Sequence, residues 1–178
     1  SEADRLKKIS EKLLDTAFIR ENPLNMRSLN LSVVLSDTVE KLLPLAHNRE
    51  ISISTDISNT EVMGDEILLS MLFYNLTENA IKACSPGGMV TLTCHNAIII
   101  ISDNGKGMTS EQLAHITEPF YRTDKSRSRA EGGAGLGLYL CQQIAISHGV
   151  HMHFASEIDI GTTVSINFNR EKTHEKNN

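Results

Sequence analysis

The sequence predicts an α/β (α+β) fold. It is a two-layer sandwich whose mixed sheet of about five strands carries three main helices on one face, with an N-terminal helix outside the sandwich. Three observations point there. Strand-like stretches come in pairs, 89–94 with 97–102 and 150–156 with 162–168. Long apolar-periodic segments separate them, at 32–48, 65–84 and 133–148. Ile51, Ile53, Thr55 and Ile57 alternate strictly with other residues, the signature of a half-buried strand. Pattern carries part of this expectation, and the order of four short motifs carries the rest.

Bulk properties narrow the function classes. At 178 residues the chain is long enough for one domain with a proper core. A net charge of -5 argues against nucleic acid or an acidic membrane as the main partner. Cys84, Cys94 and Cys141 are odd in number and widely spaced. They indicate neither a disulfide framework nor a CxxC metal site, and reduced thiols fit a cytosolic protein. No apolar run reaches the length of a membrane-spanning helix, and no signal peptide is present. The serine at position 1 suggests a fragment of a longer protein.

Taken in order, residues 4–19 read as an amphipathic helix with an apolar stripe of Leu6, Ile9, Leu13, Leu14, Ala17 and Phe18. Pro23 stops it. A single helix of this length is marginal in water, so the stripe needs a partner. The expected partner is another chain or a helix upstream, because the following link (21–25) is polar. Residues 1–22 are thus set apart from a main domain at 23–170, with a frayed charged tail at 171–178. In the main domain a short strand at 26–29 leads into the helix at 32–48, capped by Asn30 or Ser32, with Leu31, Leu35, Thr38, Val39, Leu42 and Ala46 inward. Val62 and Met63 form a brief strand before Gly64-Asp65, and Asp65 is the expected N-cap of the next helix.

That helix, 65–84, buries Leu69, Leu72, Phe73, Leu76, Ala80 and Ala83 on one face. Asn75, Glu78, Asn79 and Lys82 recur at the same three- and four-residue steps on another. Such a stripe is most often plain solvated surface. Two neutral amides, followed downstream by two glycine-rich segments, suggest instead a face turned toward a nucleotide. Ser85-Pro86-Gly87-Gly88 ends the helix. The four isoleucines Ile98 to Ile101 lack alternation and predict a central strand covered on both sides. Asp103-Asn104-Gly105-Lys106-Gly107-Met108 follows, a turn by composition, whose glycines also permit close backbone approach to a ligand. Asp103, at the end of a buried strand, is placed to accept a hydrogen bond from a base amine.

A short helix at 109–115, capped by Thr109 or Ser110, precedes a long aperiodic stretch to Gly133, of the kind that is usually functional or mobile in compact domains. It holds Phe120 and Tyr121, and its cations Arg122, Lys125, Arg127 and Arg129 suit phosphate. Gly133, Gly135 and Gly137 then open a helix, where unencumbered amides bind phosphate well. A dinucleotide fingerprint is excluded because position 138 is Leu, and no Gly-Lys is followed by Ser or Thr as a Walker A loop requires.

The blocks Asn75-x3-Asn79-x2-Lys82, Asp103-x-Gly105-x-Gly107, Pro119-Phe120-Tyr121-Arg122 and Gly133-x-Gly135-x-Gly137 resemble, in order and spacing, the N, G1, F and G2 boxes of bacterial sensor histidine kinases. The resemblance spans nearly the whole chain. Residues 4–19 resemble the end of the second helix of the dimerisation and phosphoacceptor hairpin. The remainder resembles the ATP-binding catalytic domain, shared in fold with gyrase, Hsp90 and MutL. The resemblance implies ATP and Mg2+ as ligands. Asn79, helped by Asn75, would bind the ion, and Lys82 would bind phosphate. Asp103 would read the adenine amine, with Gly105, Gly107 and Met108 around the base. Tyr121 and Arg122 would stand at the base of a lid, and Gly133, Gly135, Leu136 and Gly137 would cradle the phosphates. Asn75, Lys82 and Arg122 are the candidates for positioning the transferring group. The implied partners are histidine-bearing dimerisation helices, a response regulator and a second copy in a full-length homodimer. The implied location is the cytoplasmic portion of a protein anchored in the plasma membrane by segments absent here.

Two departures stand out. Ala83 replaces the aromatic residue that many relatives carry after the N-box lysine. None of His47, His95, His115, His148, His151, His153 and His174 has the acid and proline that follow the family's phosphoacceptor, so the acceptor is expected outside this chain. His148-Gly149 matches a helix-ending pair of structural character. Two competing functions are an ATP hydrolase of the gyrase and chaperone type, and a non-catalytic nucleotide-binding interaction module. The hydrolase relatives place a glutamate base where this chain has Asn75, and an amide cannot take a proton at neutral pH.

Overall fold

The computed structural model describes residues 23–122 and 135–169, together with Ser10 and Ile19. The element order is β1 (Arg27–Asn30), α1 (Leu31–Asn48), β2 (Ser52–Ile57), β3 (Glu61–Gly64), α2 (Glu66–Ala83), β4 (Met89–His95), β5 (Ile98–Asp103), α3 (Ser110–His115), α4 (Gly137–Ser147), β6 (Met152–Glu157) and β7 (Gly161–Asn167). Five strands form one sheet in the order β2-β4-β5-β7-β6, and β1 with β3 forms a separate ribbon. The β2–β4 pair is parallel and the rest of the large sheet is antiparallel, so the sheet is mixed as expected.

The sheet turns one face to the helices. Val90, Leu92 and Cys94 of β4, Ile99 and Ile101 of β5, and Val164 and Ile166 of β7 are buried there. They meet Leu35 and Leu42 of α1, Leu69, Leu72 and Phe73 of α2, and Leu140 and Ile144 of α4 in one apolar cluster. β5 is central, but the expectation that Ile98 to Ile101 are covered on both sides is wrong. Ile98 is 37% exposed and Ile100 only half-buried, because the two-layer fold supplies helices to a single face and period-2 geometry sends alternate residues outward. Thr55 is likewise exposed, since β2 is an edge strand.

The caps explain where the helices begin. Asn30 Oδ1 accepts from the Ser32 amide at 2.9 Å, and Asp65 Oδ1 accepts from the Ile67 and Leu68 amides at 3.1 and 3.2 Å. Thr109 and Gln112 form a reciprocal capping box at α3. Ile19, helical and 8% exposed, joins the domain's apolar cluster. The apolar stripe at Leu6, Ile9, Leu13, Leu14, Ala17 and Phe18, and the tail at 171–178, lie outside the described residues.

Candidate functional site

The site is built on α2, which packs between α1 and α4 and over the central strands. Its N-terminus is fixed from two sides. The Asn25 amide donates to Asp65 Oδ2 at 3.0 Å, and the Asp65 amide donates to His148 Nε2 at 3.0 Å. His148 Nδ1 lies 2.8 Å from the Ile144 carbonyl, so the ring joins the end of α4 to the start of α2, the structural role expected for the His-Gly pair.

The polar stripe of α2 lies at two depths. Asn75 is 7% exposed, and its Nδ2 donates back to the Met71 carbonyl at 2.8 Å. Glu78, Asn79 and Lys82 are half-buried along the helix edge, with Lys82 Nζ 2.8 Å from Glu78 Oε1. Burial and the nearby Glu78 charge push the Tyr74 phenol pKa up.

The C-terminal end of this ridge is joined to the loop after β5. The Lys106 amide donates to the Ala83 carbonyl at 3.2 Å. Asn104 Oδ1 accepts from the Met89 amide at 2.8 Å and sits 3.7 Å from Cys84 Sγ. The first two motifs are therefore brought together by main-chain contact. Each glycine of the loop meets the protein's own backbone. A Cβ at Gly105 would lie 2.5 Å from the Ala83 carbonyl oxygen, and one at Gly107 (φ +60°) would lie 1.8 Å from that of Glu157. Met108 is half-buried beside them.

Asp103 ends β5. Period-2 alternation puts it on the same sheet face as Ile99 and Ile101, toward the helices. Its Oδ1 accepts from the Gly105 amide at 2.9 Å and from the Thr162 amide at 3.3 Å. Among the described residues nothing donates to Oδ2. Burial pushes the carboxyl pKa up, and the two amides counter it in part. The Thr162 amide and Gly161, whose added Cβ would lie 1.9 Å from the Asp103 carbonyl oxygen, were not marked as site residues by the sequence. Only the β5–β7 pairing brings them to Asp103, and no local spacing reports a contact across 59 residues.

The third and fourth motifs meet in the same manner. The Phe120 amide donates to the Gly135 carbonyl at 2.9 Å. Phe120 (φ +67°) and Gly135 (φ +71°) both adopt left-handed backbone, uncommon for a bulky aromatic and natural for glycine. Tyr121 is half-buried, with its ring 5.6 Å from the His115 ring. His115 Nδ1 lies 2.8 Å from Glu118 Oε1, and that carboxylate raises the imidazole pKa. Arg122 is half-buried. Leu136, 1% exposed, stands at the N-cap of α4 without a side-chain cap, and Gly137 is the first residue of the helix. Gly133 and the cations Lys125, Arg127 and Arg129 lie outside the described residues. Cys141 Sγ, 3.8 Å from the Leu72 carbonyl, holds α4 against α2.

This arrangement is an amide-bearing helix edge, a carboxylate at a sheet end and a second helix start. A family profile described as "Histidine kinase-, DNA gyrase B-, and HSP90-like ATPase" matches residues 64–172. The chain belongs to this family. Within it, the sensor histidine kinases are its relatives. It is 40% identical over 142 residues, 76% of this chain, to the sensor histidine kinase RppB of Synechocystis sp.. It is 31% identical over 172 residues, 93% of this chain, to the sensor-like histidine kinase SenX3 of Mycobacterium tuberculosis. It is 30% identical over 174 residues, 96% of this chain, to the sensor histidine kinase YkoH of Bacillus subtilis. The chain spans 31%, 42% and 38% of the lengths of these relatives. Among solved structures, full-length ShkA in complex with AMPPNP matches with a TM-score of 0.79 at 24% identity, over 93% of this chain and 36% of that one. The mycobacterial sensor histidine kinase MprB matches with a TM-score of 0.68 at 22% identity, over 79% of this chain and 95% of that one. These two likenesses speak to the fold. The domain is thus an ATPase-family fold of the sensor histidine kinase type. Among the described residues no helix is long and apolar enough to cross a membrane.

Proposed function

We propose that this domain binds Mg-ATP between the α2 ridge and the loop 104–108 and transfers the γ-phosphoryl group to a histidine on a segment outside this chain. The observation that carries the reading is Asp103. It is a half-buried carboxylate with one oxygen held by two backbone amides, while the other has no donor among the described residues. A fixed acceptor of this kind suits the exocyclic amine of adenine. Guanine offers a carbonyl at that position, so the same carboxylate discriminates against it.

The assigned roles follow from depth and chemistry. Asn79, half-buried on the ridge, offers a hard amide oxygen, and Asn75 behind it supports the ridge. This donor set fits Mg2+, which keeps several waters and prefers one or two protein oxygens plus phosphates. Among the described residues no cluster of three or more His, Cys, Asp or Glu could hold a metal ion. When bound, the ion would neutralise phosphate charge. Lys82 and Arg122 position the phosphates, and Gly133, Gly135, Leu136 and Gly137 supply amides at the start of α4. Gly105, Gly107 and Met108 wall the base. Tyr121 orders the base of the lid against His115. Since no acceptor is present in the chain, dimerisation helices bearing a histidine, a second copy and a response regulator complete the reaction sequence. Hydrolysis is disfavoured because Asn75, bonded back to Met71, is no base.

The deciding experiment mixes the chain with Mg-ATP and a separate fragment carrying the upstream hairpin. Acid-labile phosphate on that fragment is the expected result. Multiple-turnover phosphate release without the fragment indicates a hydrolase, and binding with neither outcome indicates an interaction module. Asn79→Ala is expected to weaken magnesium-dependent nucleotide binding, and unchanged affinity overturns the ridge as the binding face.

A further inference from the structure

We infer that Glu78 is a positioning residue that competes with nucleotide phosphate for the Lys82 ammonium and thereby sets the affinity of the site. The inference rests on the proposed phosphate role of Lys82. Position 78 is one of the unspecified places in the Asn75-x3-Asn79-x2-Lys82 motif, so the motif itself does not call for a carboxylate there.

The geometry is specific. Glu78 Oε1 and Lys82 Nζ are 2.8 Å apart, one helical turn from each other, with the acid N-terminal to the base, the favoured order. The two side chains are only 24% and 31% exposed, so salt screens the pair less than it would at an open surface. The Glu78 charge also reaches Tyr74, one turn in the other direction. Asn79, the assigned magnesium ligand, is the next residue. An ammonium has three donors but one charge, and phosphate oxygens must draw it from a carboxylate already in contact. Glu78 also places a negative charge beside the nucleotide's own anionic groups. Both effects lower affinity, and they differ in whether Lys82 is required.

The test measures Mg-ATP affinity by titration calorimetry on the 178-residue chain, its Glu78→Gln and Lys82→Ala variants and the double variant, with thermal unfolding in parallel. Glu78→Gln is expected to tighten binding by about two- to fivefold, the range of a partly screened helical ion pair. The gain shrinks as salt is raised. In the Lys82→Ala background the same change produces little or no gain. A purely structural pair would move the unfolding temperature and leave nucleotide affinity alone. Unchanged or weaker binding by a folded Glu78→Gln variant overturns the inference, and so does an equal gain in both backgrounds. Failure of the parent reading looks different. If Lys82→Ala leaves affinity unchanged while Asn79→Ala weakens it, the phosphate role of Lys82 falls and the inference with it, but the site stands. If the parent chain binds no ATP, the site itself falls.

Discussion

The two glycine-bearing segments of the domain use the same residue for opposite ends. In the loop after β5, Gly105 and Gly107 turn toward the protein: each lies where a Cβ would strike the carbonyl of Ala83 or Glu157. The Asp159 amide adds a bond to the Lys106 carbonyl at 2.9 Å, so this loop is interlocked with the end of α2 and with the β6–β7 hairpin. At the start of α4, Gly135 joins the Phe120 segment, and the helix beyond it has no side-chain cap. There the backbone amides are turned outward. The first segment is a wall that fixes where a ligand meets Asp103. The second supplies donors whose partners the domain does not itself provide through a cap. Glycine in a ligand-binding motif therefore need not mean contact with the ligand.

The largest expected effect comes from breaking the wall. Gly107→Ala combines a left-handed φ with a 1.8 Å overlap on backbone that cannot rotate away. It should destabilise the domain by more than about 3 kcal/mol in urea unfolding. Gly135→Ala meets its neighbours at 2.8 Å and should cost less, about 1–2 kcal/mol, mostly for the φ of +71°. Equal losses at the two glycines would erase the contrast between wall and donor segment.

Asp103→Asn tests what the wall holds in place. Losing a charge-assisted hydrogen bond to adenine should weaken ATP binding roughly ten- to hundredfold and narrow the preference over GTP. Stability should move the other way. Burial raises the Asp103 pKa above its ordinary 3.8. The stabilisation from its protonated form is complete below the unfolded-state pKa and is lost as pH rises through the folded-state value. At neutral pH the buried charge costs stability, and asparagine removes that cost while its oxygen still accepts from Gly105 and Thr162. The unfolding temperature of Asp103→Asn should exceed that of the parent at pH 7, with the gap closing toward pH 4.

Two smaller effects sharpen the picture on either side of the site. Thr77 is fully buried on α2, and its hydroxyl has no partner among the described residues. Thr77→Val keeps the shape, removes an unsatisfied polar group and should stabilise the domain by about 1 kcal/mol without changing nucleotide affinity. Glu118→Gln should return the His115 titration, followed by NMR, toward the ordinary value of 6.5. Because the carboxylate raises that pKa, its support for the His115–Glu118 pair is full below the unfolded pKa and fades as pH rises through the folded one.

Most elements were legible because their signals are local. Asp65 and Thr109 cap as their residue types require, and the periodicity of Leu69, Leu72, Phe73 and Leu76 reports the buried face of α2. The stripe of Asn75, Glu78, Asn79 and Lys82 was readable as a stripe, but its two depths were not. Depth depends on how closely neighbouring elements approach, and helical spacing is silent on that. The isoleucine run misled because apolar continuity says a strand is central without saying how many layers cover it.

The sequence by itself determined the elements, their caps, the order of the four motifs and, through that order, the family. These properties are written in residue type and spacing within a few turns of chain. Only the tertiary structure decided that Thr162 and Gly161 secure Asp103, that Ala83 and Glu157 shape the glycine loop, and that Lys82 meets Glu78 at a half-buried edge. Such contacts arise from strand pairing and helix packing across long separations. Their energies depend on distance and burial, which are properties of the folded arrangement as a whole.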